Sequence, residues 1–190
     1  MFGQRGEIER SIRVYQSLLD RTDLPDDARQ MALSKLGEAF LKGGLFDRAE
    51  TSFKQLLNGP QHAHAQTQLL YIYQSQQEWV QAIDVAQGML KTEENTVALT
   101  HFHCELAVQA MQKKDWLMAE RELNQAQTLR PHGMRVQLLK GRWYAQQERT
   151  DEALAVWRQL AEAQPDSVPL LVDDAMAVFE ARGEMPQGVA

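Results

Sequence analysis

The sequence predicts an all-α solenoid of about ten helices, built from one helix–turn–helix unit repeated along the chain. The stretch 36–57 contains two amphipathic segments that are separated by Gly43 and Gly44. No alternating pattern typical of a strand is apparent anywhere in the sequence. Alanines at one shared place in the second helix of each unit recur at intervals of 33, 37 and 34 residues: Ala49, Ala82, Ala119 and Ala153.

The first complete unit shows what the repeat requires. Its second segment carries Phe46, Ala49, Phe53 and Leu56 at spacings of 3, 4 and 3, the apolar stripe of an amphipathic helix. Gly37 and Ala49 would lie where two antiparallel helices cross, because larger residues there would push the axes apart. This pattern resembles the tetratricopeptide repeat, a helix–turn–helix of about 34 residues. The resemblance implies a right-handed superhelix.

The whole chain, 1–190, is interpreted as a single tetratricopeptide-repeat domain. Its segments are a half repeat at 6–20, repeats at about 26–58, 61–91, 95–130 and 132–163, and a final helix at 167–182. The half repeat is a second helix without its first, because its apolar residues have the offsets of the second helix of the first complete unit. These residues are Gly6, Ile8, Ser11, Tyr15 and Leu18.

Turn signals support the same division. Pro131 and Pro165 each follow a second helix and lie 34 residues apart. The interval of 37 residues places about three extra residues in a loop at 91–95, where KTEEN is typical of a polar helix-ending and capping segment.

The final helix predicts self-association. The chain starts and ends within a repeat, and nothing downstream can cover all the apolar residues of the last helix. We therefore expect self-association or helix exchange through one of the ends. A strictly monomeric species at tens of micromolar in light scattering would contradict this expectation. The apolar residues are Leu171, Val172, Ala175, Met176, Val178 and Phe179.

Composition excludes several classes of partner. A formal charge of −6 without a basic block argues against nucleic acid and against an electrostatic membrane anchor. No run of eighteen apolar residues exists, so we expect no direct membrane insertion by this chain. Cys104 is the single cysteine, which forbids an internal disulfide and is typical of a reducing compartment. The expected location is cytoplasmic.

Four segments carry a more specific resemblance. They are LTHFHCELA at Leu99–Ala107, GLFDRAE at Gly44–Glu50, LLYIYQ at Leu69–Gln74 and EWVQAIDVA at Glu78–Ala86. These segments include residues that the bare repeat does not require, and they resemble the lipopolysaccharide assembly protein B family. The resemblance is good from about Phe2 to Met111 and weaker up to Trp157.

The family resemblance implies an adaptor. Its members have a membrane helix, cytoplasmic repeats at the inner membrane of Gram-negative bacteria, and a rubredoxin-like metal domain with paired CxxC motifs. They present the deacetylase of lipid A synthesis to a membrane-bound AAA+ protease and so limit lipopolysaccharide production. This sequence has neither the membrane helix nor a CxxC motif, so we expect either a fragment or a shortened relative. Only the protein-binding role of the repeats is carried over.

The first helices of stacked repeats line a concave groove, the usual ligand surface of such solenoids. The alanine register assigns eleven residues to this candidate surface: His64, Thr67, Tyr71, Gln74, His101, Cys104, Val108, Met111, Arg135, Leu138 and Arg142. Its mixture of apolar, aromatic and arginine side chains favours a peptide or a helix as ligand. Tyr71 and Arg142 are the expected hot spots, and the open alternative is that several of these residues are merely surface.

Other chemistries find little support. His101 and His103 are two residues apart on a helix and point about 200° apart, so they cannot share a metal ion. Cys104 lacks a group that would activate a thiolate nucleophile. No repeat carries the lysine and asparagine of the repeats that clamp a chaperone's C-terminal carboxylate. We therefore expect no cofactor and no enzyme.

Two interpretations of function remain open. The first is a non-catalytic adaptor in the control of lipopolysaccharide synthesis, with the lipid A deacetylase and the membrane protease as partners. The alternative is a generic tetratricopeptide scaffold for another envelope-biogenesis or secretion complex. The repeat pattern supports both, and only the four family-specific segments favour the first.

Overall fold

The computed structural model describes residues 2–183, and this part of the chain contains ten α-helices and no strand. The all-α prediction is confirmed. The helices are α1 (Phe2–Leu19), α2 (Asp26–Lys42), α3 (Phe46–Lys54), α4 (His62–Gln76), α5 (Trp79–Gln87), α6 (Glu93–Gln112), α7 (Trp116–Leu129), α8 (Met134–Ala145), α9 (Thr150–Ala163) and α10 (Val168–Ala181), with a 3₁₀ turn at Pro165–Ser167. None of these helices is long and apolar enough to cross a membrane.

The helices alternate between two roles. We call α2, α4, α6, α8 and α10 the A helices, and α1, α3, α5, α7 and α9 the B helices. Contacts divide them into two units, one that runs to Leu90 and one that begins at Lys91. In the first unit each helix from α1 to α5 packs on the next, and in the second unit each helix from α6 to α10 does so. The single-domain interpretation stays a prediction.

Every turn from an A helix to its B helix has the same backbone shape. Gly44, Gln77, Lys114 and Glu148 have φ angles of 71°, 58°, 58° and 61°, in the left-handed region. In the first of these turns the N–H of Leu45 donates to the carbonyl of Phe40 at 2.9 Å, and the other three turns contain the equivalent bond. This bond closes a Schellman motif. The four positions keep the intervals of the repeat register.

Where the two helices of a pair cross, the size of the residue on the A helix is matched to the size of the residue on the B helix. A Cβ added to Gly37 would lie 2.7 Å from Phe53 Cζ, and one added to Gly141 would overlap the indole of Trp157. Gly37 therefore lies at a close helix crossing, as predicted. At the same register positions, the two middle pairs have an A-helix residue larger than glycine and a B-helix residue smaller than an aromatic one: Leu70 with Ala86, and Ala107 with Leu123.

The three extra residues of the long repeat do not lie in a loop, so that prediction is wrong. They contribute to α6, which has 20 residues and is the longest helix of the described chain. Thr92 caps this helix, because its side chain accepts a hydrogen bond from the N–H of Asn95 at 3.1 Å. Glu93 and Glu94 in the first turn add favourable charge at the positive end of the helix dipole.

The last helix is better covered than we expected from the sequence. Leu171 and Val178 are buried in an apolar cluster with Trp157 and Leu160 of α9. Val172 is exposed, and Ala175, Met176 and Phe179 are half-buried. Self-association through an end of the chain stays a prediction.

Candidate partner-binding surface

The residues of the candidate surface lie on three A helices, α4 in the first unit and α6 and α8 in the second. Because the chain divides into two units, the two parts of the surface are described separately.

The first-unit part of the surface is centred on Tyr71, whose side chain is 56% exposed on α4. Thr67 and Gln74 are also exposed on this helix, whereas His64 is half-buried. His64 Nε2 lies 3.6 Å from the carboxylate of Glu38 on α2, and its ring packs edge-on against a buried phenylalanine. An aromatic ring in solvent beside polar neighbours is the form in which tyrosine often anchors a partner.

In the second unit, Glu105 of α6 joins two residues of the candidate surface. His101 Nδ1 lies 3.7 Å from Glu105 Oε1, and Arg135 Nη2 of α8 donates to the same oxygen. The side chain of Arg135 is 51% exposed and that of Glu105 is 22% exposed. The carboxylate therefore lies beneath a guanidinium group that stands closer to solvent.

Arg142 shows the same arrangement between α8 and α10. Its Nε donates to both carboxylate oxygens of Asp174, at 3.0 and 2.8 Å. Asp174 is the more buried partner, with 22% of its side chain exposed against 42% for Arg142. A cavity of about 780 Å³ opens beside this pair, and its apolar lining includes Trp157 and Val178. That volume falls within the usual range for ligand sites.

Two residues of the candidate surface lie elsewhere than expected. Cys104 is fully buried and Met111 is 6% exposed, both in the apolar core that α6 forms with α7 and α8. Neither side chain is available to a partner, because the face of α6 that carries them packs inward. Burial raises the pKa of the Cys104 thiol to about 11, which disfavours a thiolate. Val108 and Leu138 are half-buried.

The acidic partners of the two arginines were missed by the sequence analysis. Glu105 stands 30 residues before Arg135, and Asp174 stands 32 residues after Arg142. Opposite charges separated by slightly less than one repeat on neighbouring A helices would have been the signal.

The histidines do not assemble a metal site. His103 is buried, and its Nδ1 lies 2.7 Å from Glu122 Oε2 on α7, whereas His101 lies on another face of α6, near Glu105. Within residues 2–183 no group of three or more histidine, cysteine, aspartate or glutamate side chains is arranged to hold a metal ion.

Comparison with known proteins identifies the repeat and its relatives. The tetratricopeptide repeat family model matches residues 2–63 and 104–168. Lipopolysaccharide assembly protein B of Escherichia coli (strain K12) is 37% identical over 145 residues, which cover 75% of this chain and 37% of that protein. The protein of the same name from Haemophilus influenzae is 28% identical over 169 residues, 87% of this chain and 42% of that protein. The resemblance seen in the sequence is confirmed, and the chain spans about two-fifths of these relatives.

Solved structures with a similar arrangement have lower sequence identity. The crystal structure of MamA has a TM-score of 0.47 and 20% identity, and the match covers 87% of this chain and 93% of that chain. A putative kinesin light chain with nearly identical TPR-like repeats, from Podosopora anserina, has a TM-score of 0.40 and 14% identity, with coverage of 87% and 91%.

Proposed function

Because the chain belongs to the tetratricopeptide repeat family, we propose that it is a non-catalytic adaptor that binds a partner protein through its A helices. We further propose that it acts in the control of lipopolysaccharide synthesis. Its partners there would be the deacetylase of lipid A synthesis and the membrane-bound AAA+ protease to which the deacetylase is presented. The similarity to lipopolysaccharide assembly protein B over 75% of the chain supports this choice of pathway.

One structural observation supports the proposed binding role most directly. Each unit exposes, on an A helix, a side chain of the kind that dominates protein interfaces: Tyr71 in the first unit and Arg142 in the second. Arg142 also lies at the edge of a cavity with an apolar floor. A central anchor beside a pocket that a partner can fill is the usual form of an interaction hot spot.

A binding titration against the purified deacetylase tests this proposal. We expect saturable binding to the chain, weakened about tenfold by Tyr71→Ala and by Arg142→Glu, a loss of about 1.4 kcal/mol each. The matched controls are Val80→Ala and Arg130→Glu, at exposed positions on α5 and after α7, outside the A helices. Both controls should bind like the wild type, and circular dichroism should show that all four variants are folded.

The outcomes separate the parts of the proposal. Binding that neither Tyr71→Ala nor Arg142→Glu weakens would contradict the assignment of the surface. Absence of binding by the folded wild type would contradict the role in presenting the deacetylase. The chain would then be a scaffold for another envelope-biogenesis or secretion complex.

A further inference from the structure

Three residues of α8 form a stripe along one face of that helix. Arg135, Leu138 and Arg142 are spaced at i, i+3 and i+7, which places them on one side of a helix. We call these three residues the α8 stripe. The two guanidinium groups are about half exposed, and the leucine between them is half-buried. The stripe therefore presents two positive charges on either side of an apolar contact.

Each arginine is held from beneath by an acid that leaves part of its guanidinium free. Glu105 binds Nη2 of Arg135, and Asp174 binds Nε of Arg142. Among the described residues, the edge of Arg142 formed by Nη1 and Nη2 donates to no acceptor. The acids are more buried than the arginines, so the surface layer is positive although each pair is neutral.

Arg142 lines the cavity beside α10. The other charged residues of the lining do not compete for its Nη1 and Nη2 edge: Asp174 already accepts from Nε, Arg182 pairs with Asp151 of α9, and Glu148 is exposed to solvent. Exposed charges are screened by water and salt, which limits the repulsion between Glu148 and an anionic ligand. A planar donor pair above an apolar floor is suited to a carboxylate that carries an aliphatic stem.

We infer that the α8 stripe binds an internal acidic segment of the partner, in which two carboxylate side chains flank an apolar one. This inference rests on the proposed function and names the chemistry of the partner segment. Seven residues of helix separate the arginines by about 10 Å. In an extended peptide every second side chain lies on the same face, and the backbone rises about 3.3 Å per residue. Acids at i and i+4, about 13 Å apart, would therefore each meet one of the two long arginine side chains. The apolar residue between them would cover Leu138.

Selection from a random dodecapeptide library tests the inference. The library is displayed through its C-terminus, so no peptide has a free terminal carboxylate, and the full chain of 190 residues is the target. We expect enriched peptides with two acidic residues four positions apart and an apolar residue midway between them. The best peptide is then made with both ends blocked and titrated by fluorescence anisotropy. Changing either acid to its amide should weaken binding about tenfold.

Conservative variants locate the contact. Arg135→Lys and Arg142→Lys keep the positive charge and can still pair with Glu105 and Asp174, but they lose the planar fork. Each should weaken the selected peptide about tenfold. The matched control is Arg158→Lys, at an exposed position on α9, and it should change nothing. Neither substitution removes the cavity, so a weaker affinity reports the loss of the planar guanidinium donors.

Three results would overturn the inference: no enriched peptide, enriched peptides without an excess of acidic residues, or wild-type affinity for the selected peptide in both stripe variants. Failure of the inference differs from failure of the proposed function. A chain that binds the deacetylase but selects no acidic peptide refutes only the inference. A chain that selects acidic peptides through the α8 stripe but does not bind the deacetylase refutes only the role in lipopolysaccharide control.

Discussion

At the scale of single residues, two glycines, Gly37 and Gly141, pack closely against aromatic rings. Gly141 is buried on α8 and contacts the indole of Trp157, whose Nε1 donates to the carbonyl of Leu138 at 3.1 Å. The indole ring has little room to shift away from Gly141, because this hydrogen bond and the surrounding apolar cluster fix its position. Close-packed interiors tolerate added volume poorly.

We predict that Gly141→Ala destabilises the chain by about 1–3 kcal/mol, because the added methyl group overlaps the indole. The overlap outweighs the gain of about 0.5–1 kcal/mol that alanine brings to a helix interior. Gly6→Ala in α1 is the control, since a Cβ at Gly6 meets no atom within 4 Å. Urea unfolding should show opposite signs for the two variants. Equal stability of Gly141→Ala and the wild type would contradict the described contact.

Tyr73 links the stability of the first unit to alkaline pH. Burial raises the pKa of this phenol to about 12, and its hydrogen bond to Glu50, 2.7 Å long, acts in the same direction. In the unfolded chain the group titrates near its ordinary pKa of about 10. Between these two values the unfolded state loses the proton first. Folding is therefore stabilised below pH 10 and loses this contribution as the pH rises towards 12.

We predict that the free energy of unfolding falls by about 2–3 kcal/mol between pH 10 and 12 on account of Tyr73. Tyr73→Phe should remove most of this dependence, because phenylalanine has no proton to lose. The exposed Tyr71→Phe should keep it. Denaturant titrations at several pH values provide the measurement, and the same slope in all three proteins would rule the explanation out.

At the scale of helices and turns, three of the four A-to-B turns use a residue other than glycine in the left-handed region. Gln77, Lys114 and Glu148 have the positive φ angle that Gly44 has in the first of these turns. A side chain with a Cβ is strained there by about 1–2 kcal/mol. The Schellman bond is made in all four turns, so the strain is compensated by neighbouring contacts rather than avoided.

We predict that Lys114→Gly stabilises the chain by about 0.5–1 kcal/mol, the relief of strain less the entropy of glycine. The adjacent Lys113→Gly removes the same side chain from a residue with φ of −84°, where glycine brings no relief. That variant should be destabilised by about 0.5–1 kcal/mol. Thermal and urea unfolding distinguish the pair, and a loss of stability in Lys114→Gly would contradict the role given to the turn.

The pair α6–α7 contains the one buried histidine–glutamate contact that the structure describes. His103 and Glu122 have side chains 8% and 2% exposed, and their register positions in the neighbouring repeats hold glutamine with valine. Those equivalents are Gln66 with Val85 and Gln137 with Val156. The histidine–glutamate pair is therefore one of two residue combinations that the repeats of this chain have at the same place.

We predict that His103→Ala alone destabilises the chain by about 1–3 kcal/mol, because it leaves Glu122 Oε2 buried without a partner while Arg121 Nε still donates to Oε1. The double variant His103→Gln with Glu122→Val copies the neighbouring repeats and should recover most of that loss. Replacing a buried ion pair as a whole is often neutral. Urea unfolding of the single and double variants gives the comparison. A double variant no more stable than His103→Ala would show that the repeats are not equivalent here.

At the scale of the whole molecule, the second unit has apolar clusters of its own. The second unit contains two apolar clusters, both built by helices from α6 onward. Repeat proteins are stabilised mainly by contacts between neighbouring repeats, so a stack of five helices can hold together by itself.

We predict that residues 91–190, produced alone, retain helical circular dichroism and unfold cooperatively. The reason is that each helix from α6 to α10 packs on the next. The comparison is the sum of the spectra of 1–90 and 91–190 against the spectrum of the full chain. A random-coil spectrum for 91–190 would favour the single-domain interpretation.

Sequence reasoning succeeded where local pattern decides the structure. The register from Ala49 to Ala153 located the four helix pairs, since apolar spacing and small residues specify how two neighbouring helices cross. It failed where the direction of a side chain decides whether the residue lies at the surface or in the core. Cys104 and Met111 have the register of the surface but belong to the core, because α6 is longer and more enclosed than its equivalents. The acids beneath Arg135 and Arg142 come from other helices, which no local pattern displays.

The size match between the two residues at each helix crossing also restricts how such a chain can evolve or be redesigned. A consensus sequence built position by position from the four copies would combine residues from different pairs. Glycine opposite alanine would leave a void at the crossing, and leucine opposite tryptophan would overfill it. Neither combination occurs in the four helix pairs of this chain. The two residues at a crossing must therefore change together. A larger side chain on one helix requires a smaller one on the other, and repeats that diverge after duplication have to keep this match.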